Sequence, residues 1–164
     1  MSSEQHRATA PDEIDGKGLR VGIVRARWNS EIVERLAGGV RRGLRQANVL
    51  DEDVVGISVP GSFELPFGAR VLATSGTVDA VVCIGSVVRG ETSHYDLVAG
   101  ECAAGVQQVQ LSAGVPVAFG VLTTEDREQA LARSEGPGRH NVGEEAALVA
   151  VEMARLAESF AAAG

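Results

Sequence analysis

Aromatic residues, cysteines and histidines are scarce in this sequence, and each shortage narrows the possible functions. Four Phe, one Trp and one Tyr stand among 164 residues, so the core must be built mainly from Val, Ala, Leu and Ile. The two cysteines, Cys83 and Cys102, belong to no paired motif and are expected to be reduced and buried. The three histidines lack the spacing of metal ligands. We therefore expect neither a disulfide-stapled domain nor a metal site.

The sequence also lacks a basic patch and a long apolar run. Its net charge is −7, and no cluster of Lys and Arg is interleaved with aromatic residues, so we expect no nucleic-acid partner. There is no signal peptide and no run of about 18 apolar residues, so we expect a cytoplasmic location without a membrane partner. With 45% hydrophobic and 23% charged residues, the composition is that of an ordinary globular domain.

Strand and helix patterns alternate along most of the chain. Residues 1–17 are polar and are expected to form a flexible tail or arm, followed by a single domain over residues 18–164. Strands are expected at residues 19–24, 54–59, 79–84 and 116–121, and helices at residues 30–47, 65–73, 94–111, 126–133 and 143–160. This order predicts an α/β fold, a three-layer sandwich whose four-stranded parallel sheet is flanked by helices.

Ligands of such folds bind beyond the carboxyl ends of the strands, so the residues that follow each strand are candidates for a site. Trp28 follows the first strand, and its ring suits either stacking on a flat heterocycle or a hydrophobic staple on the first helix. Asn29 is a typical helix-capping residue. After the second strand, Pro60 and Gly61 predict a tight turn, and Glu64 at the next helix start suits either a ligand or the helix dipole.

The third strand leads into the segment from Gly85 to Tyr95, which indicates chemistry rather than packing. Two glycines predict a turn, Thr92 and Ser93 supply hydroxyls, and His94 stands where a helix is expected to begin. Backbone N–H groups and hydroxyls at a strand-to-helix junction suit a bound anion, and an imidazole suits proton transfer. We therefore expect an anion site beside a proton carrier.

The fourth strand contributes fewer candidates. Phe119 is expected in the core unless the strand end meets a neighbouring subunit, and Thr123 and Thr124 are expected to cap the following helix. Arg133 ends that helix, where it either compensates the helix dipole or binds a phosphate. The Walker A, dinucleotide-binding and nucleophile-elbow motifs are absent from the sequence, which disfavours nucleotide binding and triad hydrolysis.

Six blocks of residues, in order and at close to the right spacing, resemble the lumazine synthase family over residues 19–160. They are Trp28-Asn29, residues 59–66 (VPGSFELP), residues 85–95 (GSVVRGETSHY), residues 116–124 (PVAFGVLTT), residues 128–133 (EQALAR) and residues 143–147 (GEEAA). Each block alone is weak, whereas the ordered set is specific. The resemblance implies the flavodoxin-like version of the three-layer α/β fold.

The resemblance further implies an enzyme of riboflavin biosynthesis. The family condenses 5-amino-6-ribitylaminouracil with 3,4-dihydroxy-2-butanone 4-phosphate to 6,7-dimethyl-8-ribityllumazine. Water and phosphate leave, and neither a metal nor an organic cofactor is needed. Family members are homopentamers with active sites between subunits, and some form decamers or icosahedral shells of sixty subunits. Riboflavin synthase is the implied protein partner.

By this resemblance, residues of two neighbouring subunits share the substrates. The pyrimidine and ribityl contacts would come from Trp28, Asn29, Gly61, Ser62, Phe63, Glu64, Val87 and Val88. The butanone phosphate would meet Gly90, Glu91 and Thr92, and His94 would carry protons during imine formation and phosphate loss. Phe119 of the adjacent subunit would cover the ring, and Arg133 of that subunit would bind the phosphate.

One position departs from the family pattern. The family commonly has Asn-Lys-Gly before the last helix, with a Lys that assists phosphate binding, whereas this chain has Asn141-Val142-Gly143. We hypothesise that Arg139 or His140, in the same loop, supplies the missing charge. The change also leaves open a non-catalytic homologue that binds a flavin or forms a shell. A generic phosphate-binding module would explain the fold but not the six ordered blocks.

Overall fold

The computed structural model describes residue 11 and residues 13–161 of the chain. Its strands are β1 (Val21–Ala26), β2 (Val54–Val59), β3 (Ala80–Val88) and β4 (Val117–Thr124). Its helices are α1 (Ser30–Gln46), α2 (Leu65–Ala73), α3 (His94–Ala113), α4 (Arg127–Ala132) and α5 (Val142–Ala161). Short 3₁₀ turns at Asp51–Asp53 and Ser62–Glu64 precede β2 and α2.

The four strands form one parallel sheet in the order β2-β1-β3-β4. β3 lies inside the sheet, where Ile84 pairs with Arg25 of β1 on one side and with Gly120 of β4 on the other. Residues 80–84 of β3 are buried on both faces, as the continuous apolar run predicts for an internal parallel strand. The predicted α/β fold with a four-stranded parallel sheet is therefore confirmed.

Successive side chains of β3 point into two separate cores. Val82 and Ile84 pack on the face covered by α1 and α5, whereas Val81 and Cys83 pack on the face covered by α2 and α3. Close approach of α1 and α5 depends on Gly43, because an added Cβ there would lie 2.7 Å from a backbone oxygen of α5. The sheet and its two helical faces make the three predicted layers.

Two strands run farther than the sequence predicts. β3 ends at Val88 instead of residue 84, and β4 ends at Thr124 instead of residue 121. Val87 pairs with Thr123 and Val88 with Thr124, because β-branched residues at all four positions favour the extended backbone. Gly85 consequently lies within β3, and the turn predicted to begin there is wrong.

The cap of α4 also differs from the prediction. Thr123 and Thr124 lie in β4, and the residue at the N-cap of α4 is Asp126. The Asp126 carboxylate accepts a hydrogen bond of 2.8 Å from the backbone N–H of Gln129. The Thr124 hydroxyl instead donates to the carbonyl oxygen of Asp126, at 2.9 Å.

The end of the predicted tail is held against the domain. Ile14 packs on the core beneath α1 and α5, and the buried Gly16 donates its backbone N–H to the carbonyl oxygen of Ala47. The Arg155 guanidinium of α5 donates to the carbonyl oxygens of Asp15 and Lys17, at 2.8 and 2.7 Å. Residues 1–10 and 12 of the predicted tail lie outside the described residues.

Cys83 and Cys102 are buried, unpaired thiols in the core covered by α2 and α3. Burial raises the pKa of the Cys102 thiol to about 11, and it raises the pKa of Cys83 further, with Cys102 adding to that effect. Both thiols are therefore protonated and unreactive at neutral pH. Over residues 13–161, no helix is long and apolar enough to cross a membrane.

Candidate active site

The ends of β1, β2 and β3 bring most of the predicted site residues to one rim of the sheet. Trp28 follows β1 and is 73% exposed in the single chain. Its ring lies beside the turn after β2, since a Cβ added at Gly61 would be 3.0 Å from Cδ1 of Trp28. Such exposure is far from the burial of a hydrophobic staple, and it leaves the ring open for stacking.

Asn29 joins the first of these loops to β3. It stands at the N-cap of α1 with a left-handed backbone, φ 57°, which asparagine tolerates better than most residues. Its side chain makes no cap hydrogen bond. Instead, Nδ2 donates to the carbonyl oxygen of Ser86 at 2.7 Å. The expected capping residue therefore ties β1 and α1 to the end of β3.

The turn after β2 is organised by Glu64. Its Oε2 accepts a hydrogen bond of 3.1 Å from the backbone N–H of Gly61, while Phe63 between them is 59% exposed. Ser62 is buried and faces β3, where a Cβ at Gly85 would approach Ser62 Oγ to 2.6 Å. Glycine at position 85 thus allows the turn to pack directly on β3.

The segment after β3 carries the predicted anion site. Val87 and Val88 are half-buried at the end of the strand, and residues 90–94 are exposed. Thr92 Oγ1 accepts a hydrogen bond of 3.3 Å from the backbone N–H of His94, the first residue of α3. Thr92 and His94 therefore lie together at the N-terminus of a 20-residue helix, where anions are favoured.

One predicted residue does not reach this rim within one chain. Phe119 pairs with Cys83, four positions before the pair Val87–Thr123, and so lies about 13 Å back along the sheet. It is 38% exposed, since it lies on the edge strand β4, and it shares the face of Val117 and Val121. Within one chain it belongs to neither core, so the expectation that it lies in the core of one subunit is wrong.

Arg133 follows α4 and remains close to its own helix. Its Nη1 donates to the carbonyl oxygen of Gln129 at 3.0 Å, and its own carbonyl oxygen accepts from the N–H of Val142 at 2.9 Å. The Asn141 side chain is buried and donates to the carbonyl oxygens of Arg35 and Glu135, at 3.1 and 2.9 Å. The loop between α4 and α5 is therefore held firmly on α1.

The residues proposed to replace the family lysine have acidic partners. Arg139 Nε lies 2.7 Å from a carboxylate oxygen of Glu135, and His140 Nε2 lies 3.4 Å from Glu145. Val142 packs against the core beneath α1 and α5. Any positive charge that this loop offers to a phosphate must therefore come from Arg139 or His140.

Sequence reasoning overlooked two polar residues near the rim. Arg89, directly after β3, binds the carboxylates of Glu125 and Asp96. The Ser86 hydroxyl is buried, and within the described residues it has no hydrogen-bond partner. Both lie within residues 85–95, the segment that the sequence indicates as a site. The local sequence gives no sign of their roles, which depend on their surroundings in the folded chain.

Within the described residues, neither the grooves nor any cluster of possible metal ligands is a better candidate for the active site than this rim. Two open grooves, of about 600 and 590 Å³, lie toward the opposite ends of the strands, and neither is lined by a predicted site residue. Residues 13–161 contain no group of His, Cys, Asp and Glu that could hold a metal ion. The chemistry of the rim is that of an aromatic platform, a helix N-terminus, a carboxylate and an imidazole.

Comparison with known proteins shows the family of this chain. The family model described as 6,7-dimethyl-8-ribityllumazine synthase matches residues 18–158. A 6,7-dimethyl-8-ribityllumazine synthase of Desulfatibacillum aliphaticivorans is 44% identical over 147 residues, which cover 90% of this chain and 94% of that protein. The chain therefore belongs to the 6,7-dimethyl-8-ribityllumazine synthase family.

Proposed function

We propose that this protein is a lumazine synthase that joins 5-amino-6-ribitylaminouracil to 3,4-dihydroxy-2-butanone 4-phosphate. The observation that carries the proposal is the meeting of Trp28, Glu64, Thr92 and His94 at one rim of the sheet in a chain of this family. Neither comparison supports the alternative of a non-catalytic, flavin-binding or shell-forming homologue.

The pyrimidine substrate would lie on the loops after β1 and β2. The open ring of Trp28 offers a stacking surface, and Asn29, held by Ser86, lies at the adjoining helix start. Glu64 uses Oε2 to accept from Gly61, but a carboxylate has further lone pairs that can accept from ribityl hydroxyls. The main chain of Gly61 and Ser62, the Phe63 ring and the strand end at Val87 and Val88 complete this half of the site.

The phosphate substrate would lie at the N-terminus of α3. Gly90, Glu91 and Thr92 precede the helix, whose dipole favours negative charge at this end. Thr92 Oγ1 accepts from the His94 N–H, so its hydroxyl hydrogen is left to donate to a phosphate oxygen.

The reaction needs proton transfers more than a strong nucleophile. The substrate amine attacks the butanone carbonyl, and water leaves to form an imine. Phosphate then leaves by elimination, and attack of the ribitylamino nitrogen on the remaining carbonyl carbon releases a second water and closes the ring. His94 would move protons in these steps, and the helix N-terminus would stabilise the departing phosphate. Holding two substrates in contact supplies much of the acceleration, so the chemistry requires no cofactor.

The site would be completed by a neighbouring subunit. Phe119 lies about 13 Å behind the rim and is partly exposed, so it can cover a ring bound on another subunit more readily than one on its own. Exposed apolar side chains on α2 and α3 supply surface for such a contact, among them Phe67, Val71 and Leu97. We propose a homopentamer, the unit from which decamers and shells are built, with Arg133 reaching the neighbour's phosphate.

The experiment that tests the function is direct. Purified protein is mixed with both substrates, and lumazine formation is followed by absorbance together with phosphate release. We expect equal amounts of lumazine and phosphate, and His94→Gln should lower the rate by about 100-fold or more while the substrates still bind. A fully assembled wild-type protein that releases no lumazine would refute the proposal. The cytoplasmic location, and riboflavin synthase as the enzyme that receives the product, belong to the same proposal.

A further inference from the structure

Arg89 links the two ends of the exposed loop that precedes α3. Its backbone N–H donates to the carbonyl oxygen of Thr124 at 2.8 Å, which extends the pairing of β3 with β4 by one residue. Its Nε lies 2.9 Å from Glu125 Oε2, and its Nη1 lies 3.3 Å from Asp96 Oδ1. The guanidinium carbon is 4.2 Å from the centre of the Tyr95 ring.

These contacts surround the proposed phosphate-binding loop. Glu125 directly follows β4, whereas Tyr95 and Asp96 form the first turn of α3. Residues 90–94 run between these anchors and are exposed, and Gly90 has open space around it. One side chain after β3 therefore bridges the start of the loop, the helix that follows it and the neighbouring strand.

A guanidinium suits this bridge for chemical reasons. It is planar and carries five N–H donors, so it can bind two carboxylates while its face stacks on an aromatic ring. Hydrogen bonding to Glu125 raises the pKa of Arg89, with the charges of Glu125 and Asp96 acting in the same direction. A lysine ammonium would keep the positive charge. It would lose the planar stacking on the aromatic ring and the fixed N–H geometry that binds two carboxylates at once.

The bridge contributes little to global stability. The Arg89 side chain is 38% exposed, and those of Glu125 and Asp96 are each 62% exposed. Exposed ion pairs of this kind are worth little because water screens them. Catalysis, however, is sensitive to displacements of about 1 Å in the groups that hold the substrates. The main consequence of the bridge should therefore appear in the loop that it holds.

We infer that Arg89 is a positioning residue, which holds the loop of Gly90, Glu91 and Thr92 and the start of α3 in the arrangement that binds the phosphate substrate. The inference rests on the proposed function, and it assigns Arg89 no contact with substrate. Arg89 acts through its carboxylate and aromatic partners on both sides of the loop.

The test compares Arg89→Met, Arg89→Lys and the control Arg45→Met. Arg45 forms a similar exposed ion pair with Asp51, but it lies at the end of α1, away from the rim. For each variant, kcat and the KM of each substrate are measured, together with the midpoint of thermal unfolding.

We expect Arg89→Met to raise the KM of the phosphate substrate and lower kcat, with a loss in kcat/KM of about tenfold or more. The KM of the pyrimidine substrate should stay within about twofold, because its contacts lie on other loops. Arg89→Lys should recover part of the loss. The unfolding midpoints of Arg89→Met and Arg45→Met should both fall by no more than about 4 °C.

Wild-type kinetics in Arg89→Met would overturn the inference and leave the proposed function intact. Equal losses for both substrates, in parallel with a large drop in the unfolding midpoint, would also overturn it, because they would indicate a structural role only. A wild-type enzyme that forms no lumazine would refute the proposed function itself, and the inference with it.

Discussion

The side-chain amide of Asn29 donates a hydrogen bond of 2.7 Å to the carbonyl oxygen of Ser86, 57 residues away in sequence. This bond joins the loop of the aromatic platform to the strand that leads to the proposed phosphate loop. The left-handed backbone of Asn29, φ 57°, turns the chain from β1 into α1 at the same point. One residue thus sets the direction of α1 and the spacing of two loops.

Asn29→Ala should therefore affect both stability and activity. The change removes a hydrogen bond and places alanine in the left-handed region, so the free energy of unfolding should fall by about 1–2 kcal/mol. The KM of the pyrimidine substrate should rise by about threefold or more, because the loop carrying Trp28 loses its tie to β3. Urea unfolding and steady-state kinetics measure the two effects.

Asn48 provides a matched control for this prediction. It is also left-handed, φ 63°, and its side chain donates to Asp15 at the opposite rim of the sheet. Asn48→Ala should lose stability for the same backbone reason but keep wild-type kinetics. If both variants changed KM equally, the proposed role of Asn29 in the site would be wrong.

Two inactive variants with defects in opposite halves of the site should regain activity when they are assembled together. His94→Gln would disable the helix start in one subunit, and Arg133→Met would remove the proposed phosphate contact from its neighbour. Each variant alone should lose about 100-fold or more in kcat/KM. When the two are co-assembled in equal amounts, about a quarter of the interfaces should combine two intact halves, so activity should recover to about that fraction.

The same experiment distinguishes where Arg133 acts. If His94 and Arg133 served a site within one chain, the mixed assembly would contain no intact site and would stay as inactive as its parents. Verified dissociation of the wild-type protein into monomers provides a second check, because separate monomers should be inactive. Active monomers would contradict the proposed shared site.

The loop before α5 allows a test of the missing lysine. We expect the double variant Arg139→Ala, His140→Ala to raise the KM of the phosphate substrate by about tenfold, since a charged hydrogen bond to phosphate is lost. Arg139 must exchange its pairing with Glu135 for the phosphate, so Glu135→Gln should leave this KM unchanged or lower it. An unchanged KM in both single variants, Arg139→Ala and His140→Ala, would rule the compensation out.

The ion pair between Arg20 and Asp79, just before β1 and β3, should make the free energy of unfolding depend on pH. Burial raises the pKa of Asp79, but hydrogen bonds from the Arg20 side chain and backbone outweigh it, so the pKa lies below its usual value. The unfolded chain then binds a proton more readily than the folded one. This contribution to stability is complete above the ordinary Asp pKa, about 3.9, and is lost as pH falls through the lower folded value.

Asp79→Asn should therefore be less stable than wild type at neutral pH, and the difference should shrink as pH falls below about 4. Urea unfolding between neutral pH and about pH 3 measures this dependence. Arg20→Met should weaken the same pH dependence, because it removes the side chain that lowers the pKa of Asp79 but keeps the backbone hydrogen bond. A difference between wild type and Asp79→Asn that stays constant with pH would contradict the assignment.

Local patterns predicted the elements well where one signal dominated. The bounds of β2 and α2 agree with the prediction, because Pro60-Gly61 and the residues around Thr74 end each pattern sharply. The third strand was predicted too short, since Gly85 resembles a turn residue. In the fold, Gly85 lies in the strand because Ser62, from a different loop, occupies the space of a side chain. A contact between residues 23 positions apart leaves no local pattern.

The sequence by itself determined the alternation of strands and helices, the internal position of β3 and the family, because these follow from hydrophobic period and from ordered motifs. Tertiary structure alone decided that Asn29 binds Ser86 instead of capping α1, that Arg89 bridges Glu125 and Asp96, and that Phe119 lies behind the rim. Side-chain partners depend on which strands become neighbours and in what register. Those relations arise only when the whole sheet assembles, and no short stretch of sequence contains them.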